Sequence, residues 1–178
     1  SASSGGPAVN QTLGELLTPE QSRKVKAWIN VGGILQGSLL ADAAVRWPKR
    51  WLIQPLLLLK GWDYDSVESM ATTVSRKRFA RADIPTWIFC LNYVGVPLSG
   101  DVTERARTGY MDLRKHGPND GLSLLSDELI PNSVTIPELG VDHFYLDPEM
   151  DLKTVALAQL VVSHLEASKR DPMNEKNR

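Results

Sequence analysis

The sequence predicts an α/β domain built on a parallel sheet, and two observations carry that expectation. Apolar strand-like runs alternate with helical stretches along the chain, as they do when crossover helices join parallel strands. The run from Thr86 to Leu91 is short and continuously apolar, which suits a parallel strand covered on both faces.

Residues 7–17 suit a helix with Val9, Leu13, Leu16 and Leu17 on one face, and Thr18-Pro19-Glu20 breaks it or starts another turn. The first strand is expected from Val25 to Val31, stopping at Gly32-Gly33, where small residues let the backbone pass close to a neighbour. Residues 39–83 change character, with Trp47, Trp51 and Trp62 around Leu56-Leu57-Leu58-Leu59 and a basic cluster at 76–81. They read as a mostly helical insertion between two core strands. Residues 95–121, rich in Gly, Pro and charge, read as a long surface excursion. Ser133 to Leu139 is the next strand, and Pro137 inside it favours an edge. Asp151 is expected to cap a final helix from Leu152 to Leu165, with Leu152, Val155, Leu160 and Val161 buried. Residues 169–178 form a polar tail. Three strands leave edges that a doubly wound sheet would cover, so further strands are expected upstream.

The 178 residues fit one domain, 1–168, able to bury a sizeable core. A net charge of -1 points to no polyanionic partner, so nucleic acid is not expected. The single cysteine, Cys90, excludes an internal disulfide and a multi-cysteine metal site. No run approaches the ~18 apolar residues of a membrane span, and residues 1–15 lack a signal-peptide layout, which leaves localisation undetermined.

The chemistry concentrates in three places. Ester cleavage by serine needs a hydroxyl, a base for its proton, an acid that sets the base's tautomer, and donors for the oxyanion. At the start, Ser1-Ala2-Ser3-Ser4-Gly5-Gly6-Pro7 has small residues two before and two after Ser3, then a helix opening at Gly6-Pro7. This makes Ser3 the candidate nucleophile, Ser4 its rival, and the Ser4 backbone N–H a candidate oxyanion donor helped by the helix dipole. A flexible Ser/Gly leader is the plain alternative. Asp120, in Gly117-Pro118-Asn119-Asp120-Gly121, is the candidate acid, although Asn-Asp-Gly is also an ordinary turn. Its rivals are Asp101, Asp112 and Asp127, with Asp101 the main competitor. Of the three histidines, His164 belongs to the terminal helix and His116 to a basic loop, which leaves His143, between the last strand and the last helix, as the base. Asp142 beside it should face solvent or cap a turn.

Taken together, Ser-Ala-Ser-Ser-Gly-Gly-Pro at 1–7, Val-Gly-Gly-Ile-Leu-Gln-Gly-Ser at 31–38, Asn-Asp-Gly-Leu at 119–122 and Asp-His-Phe at 142–144 resemble the C-terminal half of a bacterial α/β-hydrolase of the esterase/lipase type. In bacterial lipases the aspartate of Asn-Asp-Gly-Leu is the triad acid. The resemblance implies a parallel-sheet α/β-hydrolase fold, a Ser3-Asp120-His143 triad in that chain order, and a serine hydrolase cleaving carboxylic esters with no metal or organic cofactor. Ser1 departs from the pattern by standing where glycine is usual. The resemblance also implies a helical cap at about 39–83, whose Trp47, Trp51 and Trp62 could line an acyl pocket or rest on a membrane surface. The expected partners are an ester substrate, small or lipid, and an upstream segment of the same protein supplying the second oxyanion donor. An acyltransferase or thioesterase would share the acyl-enzyme, and a hydrolase-like binding module is the non-catalytic alternative.

Overall fold

The computed structural model describes residues 1–46 and 64–170. Its centre is a three-stranded parallel sheet in the order β1 (Ala27–Val31), β2 (Phe89–Val96) and β3 (Val134–Leu139). Ile29 pairs with Leu91 and Val31 with Tyr93, while Trp28 pairs with Cys90 and Asn30 with Asn92. Because side chains alternate across a strand, these two sets lie on opposite faces. One face packs Trp28, Cys90 and Ile88 against Leu13, Leu35 and Ile130. The other packs Leu91 and Tyr93 against Leu157 and Val161.

Helices cover both faces. α1 (Gly5–Gln11) runs into a π turn at Thr12–Leu16. α2 (Pro19–Ser22) starts at Thr18 with reciprocal capping: Gln21 N–H donates to Thr18 Oγ1 at 3.3 Å, and Thr18 N–H donates to Gln21 Oε1 at 2.9 Å. α3 (Leu39–Val45), α4 (Tyr64–Ser69) and α5 (Thr72–Arg81) are the described parts of the expected insertion. α6 (Glu104–Leu113) precedes the acid loop, and α7 (Met150–Arg170) closes the described chain. Among the described residues no helix is long and apolar enough to cross a membrane.

Several expectations need correction. The 95–121 stretch is not one excursion, because α6 interrupts it with Ala106 and Leu113 buried. The second strand begins at Phe89, not Thr86, and continues to Val96. Asp151 lies inside the first turn of α7 rather than capping it. Leu152, Val155 and Leu160 are exposed, and that helix instead buries Leu157 and Val161; an i, i+4 pair turned to the sheet decides which apolar residues go inside. Leu16 is likewise exposed, since the π turn shifts the face. Pro137 does sit on β3 at the end of the described sheet order.

Leu91 is fully buried on the central strand. Leu91→Ala should therefore cost about 3 kcal/mol of stability, the usual range for a leucine truncated where the surroundings collapse only partly. Urea unfolding monitored by circular dichroism would measure it; a loss below about 1 kcal/mol would mean that the core closes over the gap.

Candidate functional site

Three loops converge at the carboxyl ends of the strands, where open parallel sheets place their sites. Ala2 bridges in parallel to Val31, on the edge of β1 away from β2, with Val31 N–H donating to Ser1 C=O at 2.8 Å and Ser3 N–H to Val31 C=O at 3.2 Å. The chain then turns sharply into α1. Ser3 takes a φ of 47°, left-handed backbone that a non-glycine residue holds only where its surroundings impose it. A side chain on Gly6 could not be accommodated, since its Cβ would lie 2.8 Å from Gly33 Cα. Gly6 is thus a packing requirement of this turn.

Ser3 Oγ lies 2.8 Å from His143 Nε2, and His143 Nδ1 is hydrogen-bonded to Asp120 Oδ2. Two further bonds set the Asp120 carboxylate: Leu122 N–H and Ser123 N–H each donate to Asp120 Oδ1 at 2.8 Å. Asp120 is completely buried and His143 nearly so. The backbone couples them as well, with His143 N–H donating to Asp120 C=O at 2.9 Å. Asn119 Oδ1 accepts from Gly121 N–H at 3.0 Å, an Asx turn that aims the aspartate inward. Gly121 has a φ of 101°, and a Cβ there would stand 2.7 Å from Ala106 Cβ on α6. The Asn-Asp-Gly turn and the position of the Asp120 carboxylate are therefore one arrangement.

The loop carrying His143 is fastened from two sides. Asp142 is buried, not solvent-facing; its Oδ2 accepts from Thr103 N–H at 2.7 Å and its Oδ1 from Phe144 N–H at 3.0 Å. Tyr145 Oη donates to Tyr93 C=O at 3.0 Å and accepts from Gly95 N–H at 2.9 Å, and burial pushes its hydroxyl pKa far up.

Beside Ser3 opens a cavity of about 770 Å³ whose wall is mainly Pro7, Ala8, Ile34, Val67, Met70 and Leu122, with Gln11 and Arg78 also lining it. Val67 and Met70 come from the expected insertion. Ser4, on the rim, is exposed, and its N–H donates to no protein acceptor among the described residues.

Solved structures resemble this arrangement of strands and helices. The Bacillus licheniformis lipase BlEst2 in mature form matches with a TM-score of 0.67 at 23% identity, over 90% of this chain and 63% of that one. The metagenomic carboxyl esterase MGS0156 matches with a TM-score of 0.71 at 18% identity, over 94% of this chain and 55% of that one. The propeptide form of the Bacillus licheniformis lipase matches at 0.67 and 23% identity over 82% of this chain and 31% of its own. The fold is that of an α/β-hydrolase. The chain spans less than two thirds of the length of these structures. No family model and no curated protein matches the sequence.

Within this α/β-hydrolase fold, Ser3, Asp120 and His143 are brought together from opposite ends of the sequence. The rival acids lie elsewhere: Asp101 and Asp112 are exposed, and Asp127 pairs with Arg76 at 3.4 Å. His116 is exposed, and His164 stacks on Phe89 with ring centroids 4.0 Å apart. Cys90 is buried, which pushes its thiol up to about 11 and makes it a small hydrophobe. In the basic cluster, Arg81 pairs with Glu15 at 3.6 Å, as a solvated helix face would. Trp47, Trp51 and Trp62 lie outside the described residues.

Four polar residues of the site escaped the sequence reading: Asn30, Asn92, Ser123 and Glu128, all fully buried. Asn30 Nδ2 donates to Glu128 C=O at 3.0 Å, and Asn92 Oδ1 accepts from Ile130 N–H at 3.2 Å. The two asparagines, paired in register, fasten the segment after the acid loop to the sheet. An asparagine amid the apolar residues of Ala27–Val31 was the available signal.

Proposed function

We propose that this chain is a serine hydrolase that cleaves carboxylic esters through an acyl-enzyme, favouring apolar acyl groups. The observation that carries this reading is the continuous relay from Ser3 Oγ through the His143 ring to buried Asp120. In this reading His143 Nε2 takes the Ser3 proton as Oγ attacks the ester carbonyl, and returns it to the leaving alcohol. Water then attacks the acyl-enzyme with the same base. Asp120 keeps the His143 Nδ1 proton in place and stabilises the imidazolium, its own charge held by two backbone N–H groups. Ser4 N–H, which donates to no protein acceptor among the described residues, is the oxyanion donor. The mainly apolar wall of the cavity would take the acyl chain, and residues 39–83, with Trp47, Trp51 and Trp62, would form its cap. The mechanism calls for no metal or organic cofactor.

A fluorophosphonate probe should label the protein, and hydrolysis of a short-chain nitrophenyl ester should rise with pH as the imidazole loses its proton. A profile flat from about pH 5 to 9, with no labelling, would reject a histidine base and favour a hydrolase-like binding module.

A further inference from the structure

Behind Asp120 lies a second carboxyl that the relay does not use. Glu128, on the 3₁₀ turn Leu125–Glu128, is completely buried. Its Oε1 accepts from Ser123 Oγ at 2.6 Å, while its Oε2 has no hydrogen-bond partner among the described residues. One oxygen from each carboxyl and one ring nitrogen of His143 lie within 4.8 Å of one another. A cation held by all three would have to break the His143–Asp120 bond. The charged groups facing Glu128 are Asp120 from the acid loop, Asp127 on its own turn with Arg76 behind it, and His143; Tyr145 approaches from the loop after β3. Among the described residues no cation pairs with it.

Two buried carboxyls beside one imidazole cannot both be ionised cheaply. The hydrogen bonds decide which carries the charge. Asp120 receives two backbone N–H bonds and faces the imidazole, whereas Glu128 receives one hydroxyl bond. We propose that Glu128 is a positioning residue of the active site: a buried neutral carboxylic acid that holds Ser123, and through it Asp120, while leaving Asp120 the sole anion against His143. Ser123 is the link, donating its N–H to Asp120 and its hydroxyl to Glu128, and accepting Asp120 N–H at 3.2 Å. An ionised Glu128 would hold His143 as imidazolium and deny Ser3 its base. Burial, then the Asp120 charge, pushes the Glu128 carboxyl well above the usual carboxylate range, in agreement with the geometry.

This inference rests on the serine-hydrolase reading, so its test has one arm that needs no activity. In Glu128→Gln, thermal unfolding should gain on wild type as pH rises from about 5 to 8. The wild-type native state keeps a proton that the unfolded chain has released, so its stability falls over that window, and the glutamine cannot titrate. A difference constant over the window would overturn the proposal. In activity, Glu128→Gln should keep kcat within about threefold and leave the acid limb of the pH profile unmoved, because an amide also accepts from Ser123. Glu128→Ala should lower kcat per titrated active site about tenfold or more with little change in KM, since a positioning loss acts on the reacting geometry. Ser123→Ala gives the same readout should Glu128→Ala fail to fold. An acid limb displaced by about half a unit or more to lower pH in Glu128→Gln would show an ionised Glu128 and overturn the proposal. Wild-type kcat in both alanine variants would reduce Glu128 to packing and overturn it too.

Discussion

Ser3→Ala should abolish covalent labelling by a fluorophosphonate and bring ester turnover down to the residual level of a site that binds without a nucleophile. The expectation follows from geometry. Ser3 Oγ stands 2.8 Å from His143 Nε2, and the backbone at Ser3 is held in left-handed conformation at the mouth of the cavity. The neighbouring hydroxyl of Ser4 is exposed and bonded to no base among the described residues, so it is not a substitute. On the precedent of subtilisin the members of such a unit are not additive, and removing the nucleophile costs about 10⁶-fold in kcat. His143→Ala should match it. Intact-mass measurement after probe treatment reads the first result directly. A Ser3→Ala protein that still gains the probe's mass would move the nucleophile elsewhere.

Asp120→Asn should be the next most damaging change, lowering kcat by about 10⁴-fold on the precedent of serine proteases, where the amide favours the wrong imidazole tautomer. Here the amide would also bring its N–H₂ towards either His143 Nδ1 or the two backbone donors that Asp120 Oδ1 now satisfies. Asp101→Asn is the contrasting variant. Asp101 follows β2 in sequence more directly than Asp120, but it is exposed and makes no bond to His143, so its replacement should change kcat by less than about twofold, as for surface substitutions away from a site. Steady-state kinetics on both, with circular dichroism to confirm folding, compares them. A crippled Asp101→Asn beside an active Asp120→Asn would shift the acid to the earlier loop.

The placement of the candidate residues was legible where a local rule governs it. Ser1 and Gly5 around Ser3, the Asn-Asp-Gly turn at 119–121, and His143 after the last strand are all short-range patterns, because a tight turn accepts few residue types whatever surrounds it. The parallel sheet was legible for the same kind of reason: continuous apolar runs are what a doubly covered strand requires. Boundaries and faces were less legible. The helix at Glu104–Leu113 hides among glycine and charge, since its stability comes from packing Ala106 and Leu113 rather than from its own propensity. Leu152, Val155 and Leu160 are as apolar as Leu157 and Val161, and only contact with Leu91 and Tyr93 distinguishes those inside.

The polar residues behind the relay mark the boundary between the two kinds of information. The order Ser3, Asp120, His143 and the turns that carry them can be read along the chain, because each depends on near neighbours. That Asp142 is buried, that Asn30 on β1 reaches Glu128, and that Glu128 lies beside Asp120 required the folded chain. A glutamate reads alike in a sequence whether exposed or buried. Its charge state and role depend on desolvation and on groups up to 98 positions away, which only tertiary packing brings within reach.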